Sequence, residues 1–367
     1  MLRIDRRLLA HIEWPLLILA LLVSGVGLVT ILSATHHSDR MLSPYVVRQA
    51  SFLGLGLVLM VVAISVDYRS LGRYAYALYA AVVLALVLVP LVGVSGGGAR
   101  RWLSLGPFGL QPSEFMKVAL AIVLAQQLHR VAGERRLPLL RLIAPAVLVG
   151  IPAALILKQP DLGSAIALTM GAFTVLIIAG LPVRLLVIAA VITGPLLPYA
   201  WHHLKPYQQR RLTSFVDPQS DPLGSGYHVL QSQIAIGSGR VHGKGYLRGT
   251  QNKLNFLPEQ HTDFIFSVYA EEWGFAGAVL LLLLYLALIL RGAYIASRAR
   301  DNLGALLAAG LTGTIFWQVV INIAMTSGVV PVVGITLPFL SYGGSSMLAL
   351  LTSIGLMMNV SMRRYAY

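Results

Sequence analysis

Apolar runs of about 20 residues alternate along the chain with short segments that carry most of its charge. A hydrocarbon layer about 30 Å thick needs roughly 20 apolar residues in helix, with about 17–25 tolerated. By that measure the chain predicts ten membrane spans, at about 15–35, 46–66, 74–94, 113–129, 139–157, 162–180, 183–201, 263–290, 304–326 and 339–361. Backbone groups in lipid must be satisfied internally, so helices are the only elements these lengths allow. The seventh run is the weakest, because Gly194, Pro195 and Pro198 interrupt it. One large loop, about 202–262, separates the seventh and eighth spans. Within it, apolar residues at 227, 230, 234 and 235 predict a short amphipathic helix over Tyr227–Ser238, lying at the membrane surface. The expected fold is all-α and polytopic, a single integral membrane domain over 1–367.

Composition strengthens this reading and removes others. Hydrophobic residues make up 57% of the chain and charged ones 11%, against about 45–50% and 25% in soluble domains. The mean hydropathy is +0.75. The formal net charge is +14, but the basic residues sit singly or in pairs between apolar runs. A nucleic-acid binder clusters them on a wettable face, so no nucleic-acid partner is expected. Arg3, Arg6 and Arg7 precede the first apolar run as in a secretion signal. That run is longer than the roughly 7–15 residues of a signal's apolar region, and an uncleaved span is expected. Cysteine is absent, which excludes disulfides and thiolate chemistry.

Ten spans put both termini on one side, and basic residues choose the side. With the termini inside, the inner segments hold Arg3, Arg6, Arg7, Arg69, Arg73, Arg130, Arg135, Arg136, Arg141, Arg184, Arg291, Arg298, Arg300, Arg363 and Arg364. The short outer segments hold Arg40, Arg48, Arg100, Arg101 and Lys158. Fifteen against five predicts cytoplasmic termini and an outward large loop.

The chain has only 14 carboxylates, so each can be placed. Asp5, Glu13, Asp67, Glu134, Asp301, Glu271 and Glu272 fall on the inner side or within spans, and Asp39, Asp217, Asp221 and Glu259 lie in outer loops. Glu114, Asp161 and Asp263 open the fourth, sixth and eighth spans, all at the outer face, and can converge at one rim. Each also has a plain structural reading. A first-turn carboxylate caps free N–H groups and meets the helix dipole, and Glu114 can simply pair with Lys117 three residues on.

Two motifs fail. Gly243-Lys244-Gly245 resembles a phosphate-loop fragment, but Ser238 and Gly245 stand where the loop needs Gly and Ser/Thr. The pairs His36-His37 and His202-His203 fall in loops, where histidines are more often solvated than ligated, so no metal site is defined. Anion recognition at the outer face is better supported. A glycine-rich turn, 96–99, delivers Arg100, Arg101 and Trp102, and the large loop adds Lys205, Arg210, Arg211, Arg240, Lys244, Arg248 and Lys253. Arg suits phosphate; contact with anionic phospholipid is the simpler use of the same cations.

Several stretches resemble the SEDS family (shape, elongation, division and sporulation). They are Gln111–Lys117 (QPSEFMK), Gln159–Ser164 (QPDLGS), Gln231–Gly239, Phe256–Phe266 (FLPEQHTDFIF) with Glu271–Gly274 (EEWG), and Pro338–Ser346 (PFLSYGGSS). They keep their order over about 95–362. Short termini and the wording around Asp263 are closer to the elongation members than to the division members. Arg240 departs from the family, which often has a second glycine after Gly239.

The resemblance implies a ten-helix peptidoglycan glycosyltransferase of the bacterial inner membrane that works with a class B penicillin-binding protein. It would polymerise lipid II on the outer face and release undecaprenyl pyrophosphate. Asp263 is then the essential carboxylate, with Trp102, Glu114, Lys117 and Asp161 as further family positions and Ser341 and Ser345 as substrate-binding candidates. Arg100, Arg101 and Lys253 would neutralise the pyrophosphate, a task a divalent cation could share. Two other readings compete: a lipid II flippase, since charges within spans mark transport paths, and a non-catalytic scaffold of the elongation complex. The clearest charges crowd the outer end rather than the whole depth, which favours chemistry there.

Overall fold

The computed structural model describes residues 12–36, 43–96, 99–105, 108–132, 139–181, 225–253 and 260–365, with isolated positions between 184 and 215. The expected seventh span, the cations Lys205, Arg210 and Arg211, and the Lys253 side chain lie outside the described residues. The helices are α1 (Trp14–Ala34), α2 (Pro44–Ser65), α3 (Tyr68–Arg73), α4 (Ala75–Val92), α5 (Pro112–Leu128), α6 (Ile143–Lys158), α7 (Leu162–Ile178), α8 (Ser225–Ser238), α9 (Ile265–Ser297), α10 (Asn302–Thr326) and α11 (Gly344–Met362). Six of them, α1, α2, α4, α9, α10 and α11, are long and apolar enough to cross a membrane, and α6 and α7 are shorter apolar helices. The chain is a polytopic helical membrane protein.

Their starts follow ordinary helix chemistry. Ser43 accepts from the Tyr45 N–H at 3.3 Å, Asp67 from Arg69 at 2.9 Å, Asp161 from Ser164 at 3.1 Å and Asp301 from Gly304 at 2.8 Å. Each satisfies a donor that a helix terminus leaves open. One element departs from an all-helical chain. The segment after α4 forms a three-stranded antiparallel sheet, β1 (Val94–Gly96), β2 (Ala99–Leu105) and β3 (Phe108–Leu110), in which the predicted turn at 96–99 lies between β1 and β2. Val94 faces Trp102 across the first pair and Leu103 faces Leu110 across the second.

Burial sorts the helices into layers. Helix α11 is buried almost throughout and α10 over most of its length, whereas α2 and α4 are largely exposed. Thus α5, α10 and α11 form the centre, while α2, α4, α6 and the lower part of α9 turn apolar side chains such as Val58, Leu84, Val147 and Leu283 outward. Without water between helices, close fit of small residues holds such a bundle. A Cβ on Gly313 would meet Thr174, and one on Gly171 would meet Thr314, so α7 and α10 interlock at two levels.

One end of the bundle collects ion pairs. Arg291 meets Glu13 at 2.6 Å, Arg69 meets Asp301 at 3.0 Å and Arg363 lies 3.6 Å from Asp67. Burial, then the Asp301 carboxylate that accepts its hydrogen bond, push the Tyr68 phenol up to about 12. Asn359 ties the corner between α2 and α3, donating to the carbonyls of Ala63 and Ile64 at 2.8 Å and of Val66.

At the opposite end α9 is broken. It is 33 residues long, but Gly274 sits at φ 66°, ψ −165° inside it. A helix of that length spans about 50 Å, well over the roughly 30 Å of hydrocarbon. The roughly 23 residues after the break suffice for a crossing. The single predicted run at 263–290 is therefore two segments, and Glu271 and Glu272 belong to the upper one. Non-helical backbone at this depth needs protein partners, and the loop after α8 supplies them. Lys244 and Gly245 donate N–H bonds to the Glu271 and Glu272 carbonyls at 3.0 Å. In return Phe275 and Ala276 donate to the carbonyls of Arg240 and Val241 at 2.8 and 3.0 Å.

Candidate active site

Asp263 lies in the turn that leads into α9, at intermediate exposure. It does not cap that helix: Phe264 is the N-cap residue, without a side-chain cap bond. Asp263 therefore precedes the helix instead of sitting in its first turn, and meets the helix dipole less directly. Its position is set by the backbone instead. Asn322, fully buried on α10, donates one amide hydrogen to the Asp263 carbonyl at 3.0 Å and another to the Ile335 carbonyl at 2.6 Å. The carboxylate lies over Gly334, where a Cβ would come within 3.3 Å of Oδ2.

The start of α7 packs against the same strip. A Cβ on Gly163 would fall 2.5 Å from the Gly334 carbonyl oxygen. Asp161, two residues earlier and 3% exposed, caps α7 and accepts a second bond from the Gln111 side chain at 3.0 Å. The Gln111 N–H donates to Ser345 Oγ at 2.9 Å, and that hydroxyl donates to the Gly109 carbonyl at 3.2 Å. Ser341 belongs to the loop before α11, not to the helix. It accepts from the Leu337 N–H and donates to the Thr262 carbonyl, both at 2.7 Å. Asp161, Asp263, Ser341 and Ser345 thus share one end of the bundle, linked through Gln111, Gly334 and Thr262.

This loop is tightly determined. Phe339 is buried at φ 64°, a left-handed conformation that costs a bulky residue energy unless its surroundings enforce it. Tyr285 donates to the Pro338 carbonyl at 2.6 Å, and Gln49 bridges the Ser341 carbonyl and the Gly343 N–H at 3.2 and 3.1 Å. His261, Tyr45 and Tyr342 pack nearby in tilted and edge-on contacts, with ring centres 4.6–5.7 Å apart.

Glu114 and Lys117 form a buried ion pair at 2.7 Å on α5, each 6% exposed. Glu114 Oε1 takes this bond, and Oε2 is buried without a hydrogen-bond partner. The cations expected for pyrophosphate are partly engaged. Arg101 donates to the carbonyls of Gln159 and Pro160, just before Asp161, while Arg100 reaches the Pro90 carbonyl at 3.5 Å. Trp102, on β2, covers Gly109 at 3.4 Å from its would-be Cβ. Lys244 is not a free loop cation: it pairs with Glu271 at 2.6 Å. Gly243 and Gly245, at φ 77° and 98°, clasp the break in α9. Among the described residues no three His, Asp or Glu side chains gather as a metal site.

A family model described as a cell cycle protein, FtsW/RodA/SpoVE, matches residues 13–366. The chain belongs to this family. It is 42% identical over 356 residues to the peptidoglycan glycosyltransferase MrdB of Escherichia coli K12, covering 96% of this chain and 94% of that one. To the peptidoglycan glycosyltransferase RodA of Treponema pallidum it is 33% identical, covering 96% and 98%. Among solved structures, a chain from work on structural coordination of polymerization and crosslinking by a peptidoglycan synthase complex superposes with TM-score 0.83 at 36% identity, covering 97% and 99%. The rod shape determining protein RodA of Thermus thermophilus gives 0.72 at 33% identity, covering 97% and 98%.

The FtsW/RodA/SpoVE motifs quoted from the sequence acquire physical reasons here. Arg240, where the family often has glycine, adopts φ 50°, a conformation that glycine takes at least cost. The predicted Tyr227–Ser238 helix exists as α8, but it packs on α9 and α10. Its buried Ser232 lies 2.6 Å from Ser267 and donates to the Thr326 carbonyl. Asn322 and Gln49 were missed as organising residues. Their signal was available: an amide within a membrane-spanning run is costly and therefore has a task.

Proposed function

We propose that this chain is a peptidoglycan glycosyltransferase of the elongation type, polymerising lipid II into glycan strands and releasing undecaprenyl pyrophosphate. The observation that carries this reading is the placing of Asp263. A partly exposed carboxylate lies over Gly334, on backbone held by Asn322, at the end of the bundle that also holds Asp161, Ser341 and Ser345. The names and lengths of the relatives agree with it.

In this reading Asp263 is the general base. It takes the proton from the 4-hydroxyl of the acceptor N-acetylglucosamine, and that oxygen attacks the anomeric carbon of the lipid-linked donor with inversion. The bond to pyrophosphate breaks with its electrons on the phosphate oxygen, so the leaving group needs no proton. Arg100, Arg101 and Lys253 offset the charge that develops there. A guanidinium has five N–H donors, so Arg101 keeps donors beyond its two carbonyl bonds. Ser341, Ser345 and Trp102 bound the substrate region, Asp161 fixes Gln111, and Glu114 with Lys117 supports the site from within α5. If a divalent cation takes part it would share the neutralisation of pyrophosphate; the base needs none.

The reading places the protein in the bacterial inner membrane with both termini cytoplasmic, the ten-span topology and the site facing the periplasm. The ion-paired end rich in arginine lies opposite Asp263 along α10, which supports this orientation. A class B penicillin-binding protein is the partner.

The test is Asp263→Asn, purified with its partner and given detergent-solubilised lipid II, with glycan strands read on a gel. Loss of a general base costs about 10²–10⁴-fold in rate, so the variant accumulates and binds its partner but makes almost no strand. Detergent removes sidedness, so flipping gives no signal. Robust strand synthesis by the folded variant removes Asp263 as the base.

A further inference from the structure

Glu271 is fully buried, and the catalytic reading gives it no task. One of its oxygens, Oε1, accepts from Lys244 Nζ at 2.6 Å, from the Thr250 N–H at 2.8 Å, from the Thr250 hydroxyl at 3.0 Å and from the Gln251 N–H at 3.2 Å. The loop from Gly239 to Gln251 is thereby fastened to the upper segment of α9 by a side chain as well as by the backbone bonds across the break. That upper segment is short, runs from Ile265 to Trp273 directly after the turn that holds Asp263, and is separated from the membrane-crossing part at Gly274. A continuous helix would transmit its own direction to its first residue. A broken one cannot, and the direction of the upper segment is set by what holds its ends. One end is held by Asn322 through the Asp263 carbonyl. The other is held by the loop. Tyr269 adds one bond across the break, to the Gly277 carbonyl at 3.1 Å.

We infer that Glu271 and Lys244 are positioning residues for Asp263: their pair locks the loop onto the broken helix and so fixes where the carboxylate stands. The inference rests on the catalytic reading of Asp263, since without it the device would position a residue of no consequence. The arrangement also explains why the loop carries glycines at 243 and 245 and a lysine between them. A Cβ on Gly243 would lie 2.0 Å from the Glu272 carbonyl oxygen.

The experiment compares Glu271→Gln, Lys244→Met and Lys244→Arg in the full chain with its penicillin-binding partner. It measures kcat and KM for lipid II, and amide hydrogen exchange. Glu271→Gln and Lys244→Met should each lower kcat about tenfold or more with KM within about twofold, as expected when a reacting group is displaced by a fraction of an ångström to 1 Å. Lys244→Arg should recover most of the rate. Exchange should quicken at Lys244, Gly245 and Phe264–Val268 and stay unchanged in α11. Normal kcat in folded variants overturns the proposal, as does a loss that follows the amount of folded protein alone. Lys244 is 26% exposed in its side chain, so Lys244→Met decides the matter if Glu271→Gln does not fold. Failure of the catalytic reading is a different result: Asp263→Asn would then be active, while the exchange measurement would still report whether the loop holds the segment.

Discussion

Lys117 and Glu114 show what a buried charge needs. Both are nearly inaccessible, their single contact is 2.7 Å, and Glu114 Oε2 has no hydrogen-bond partner. Removing one member of such a pair strands the other charge and costs roughly 3–5 kcal/mol, whereas removing both is far cheaper. Glu114→Ala should therefore lower folded yield and strand synthesis more than the double change Glu114→Gln, Lys117→Met. A double variant clearly worse than either single one would show that the two residues act separately. Spacing alone made this pair readable, because residues three apart on a helix meet. Asp161 was readable for the same local reason, as the cap of α7. The Asn322 and Gln111 contacts were not, because their partners lie far away in sequence: Ser345 is 234 residues from Gln111. Nothing local marks such a pairing.

Among the elements, length and apolarity made the single helices legible, and α1, α2, α4, α10 and α11 begin or end within a few residues of the expected runs. Two elements escaped. The sheet between α4 and α5 depends on pairing among short strands whose side chains show no clear alternation. The break in α9 depends on a loop about 30 residues upstream, and Gly274 by itself does not announce it. Contacts between elements also carry a prediction. Gly163 allows the start of α7 to press on residues 333–335, and a Cβ there would meet backbone oxygens at 2.5 and 2.8 Å. Backbone cannot yield as a flexible side chain does, so α7 or the strip under Asp263 must shift. Gly163→Ala should then lower kcat about tenfold without preventing folding. Gly150→Ala, which meets nothing within 4 Å, serves as the control and should leave the rate unchanged. Equal activities in the two variants would show that the strip does not position the carboxylate.

At the scale of the whole molecule, the distribution of charge ties the fold to its place in the membrane. The arginines of α3, of the ends of α9 and α11, and Asp301 at the start of α10 share one end, where three ion pairs form. Three guanidiniums, those of Arg291, Arg298 and Arg364, crowd within 4.8–5.9 Å of the Tyr294 ring. Moving that end through the bilayer would carry these charges with it, which is the physical ground for the orientation proposed above, with the arginine-rich end inside. The other end holds Asp263, Asp161 and the loop that grips α9. The short segments on that side hold five Arg and Lys against fifteen on the other, and the cations of the long loop count little in choosing sides. A reporter that works only after export should accordingly be active when fused near Leu223 and silent when fused after Tyr367. Activity at Tyr367 with silence at Leu223 would invert the protein, and would put the carboxylate on the face where an exported polymer could not be built.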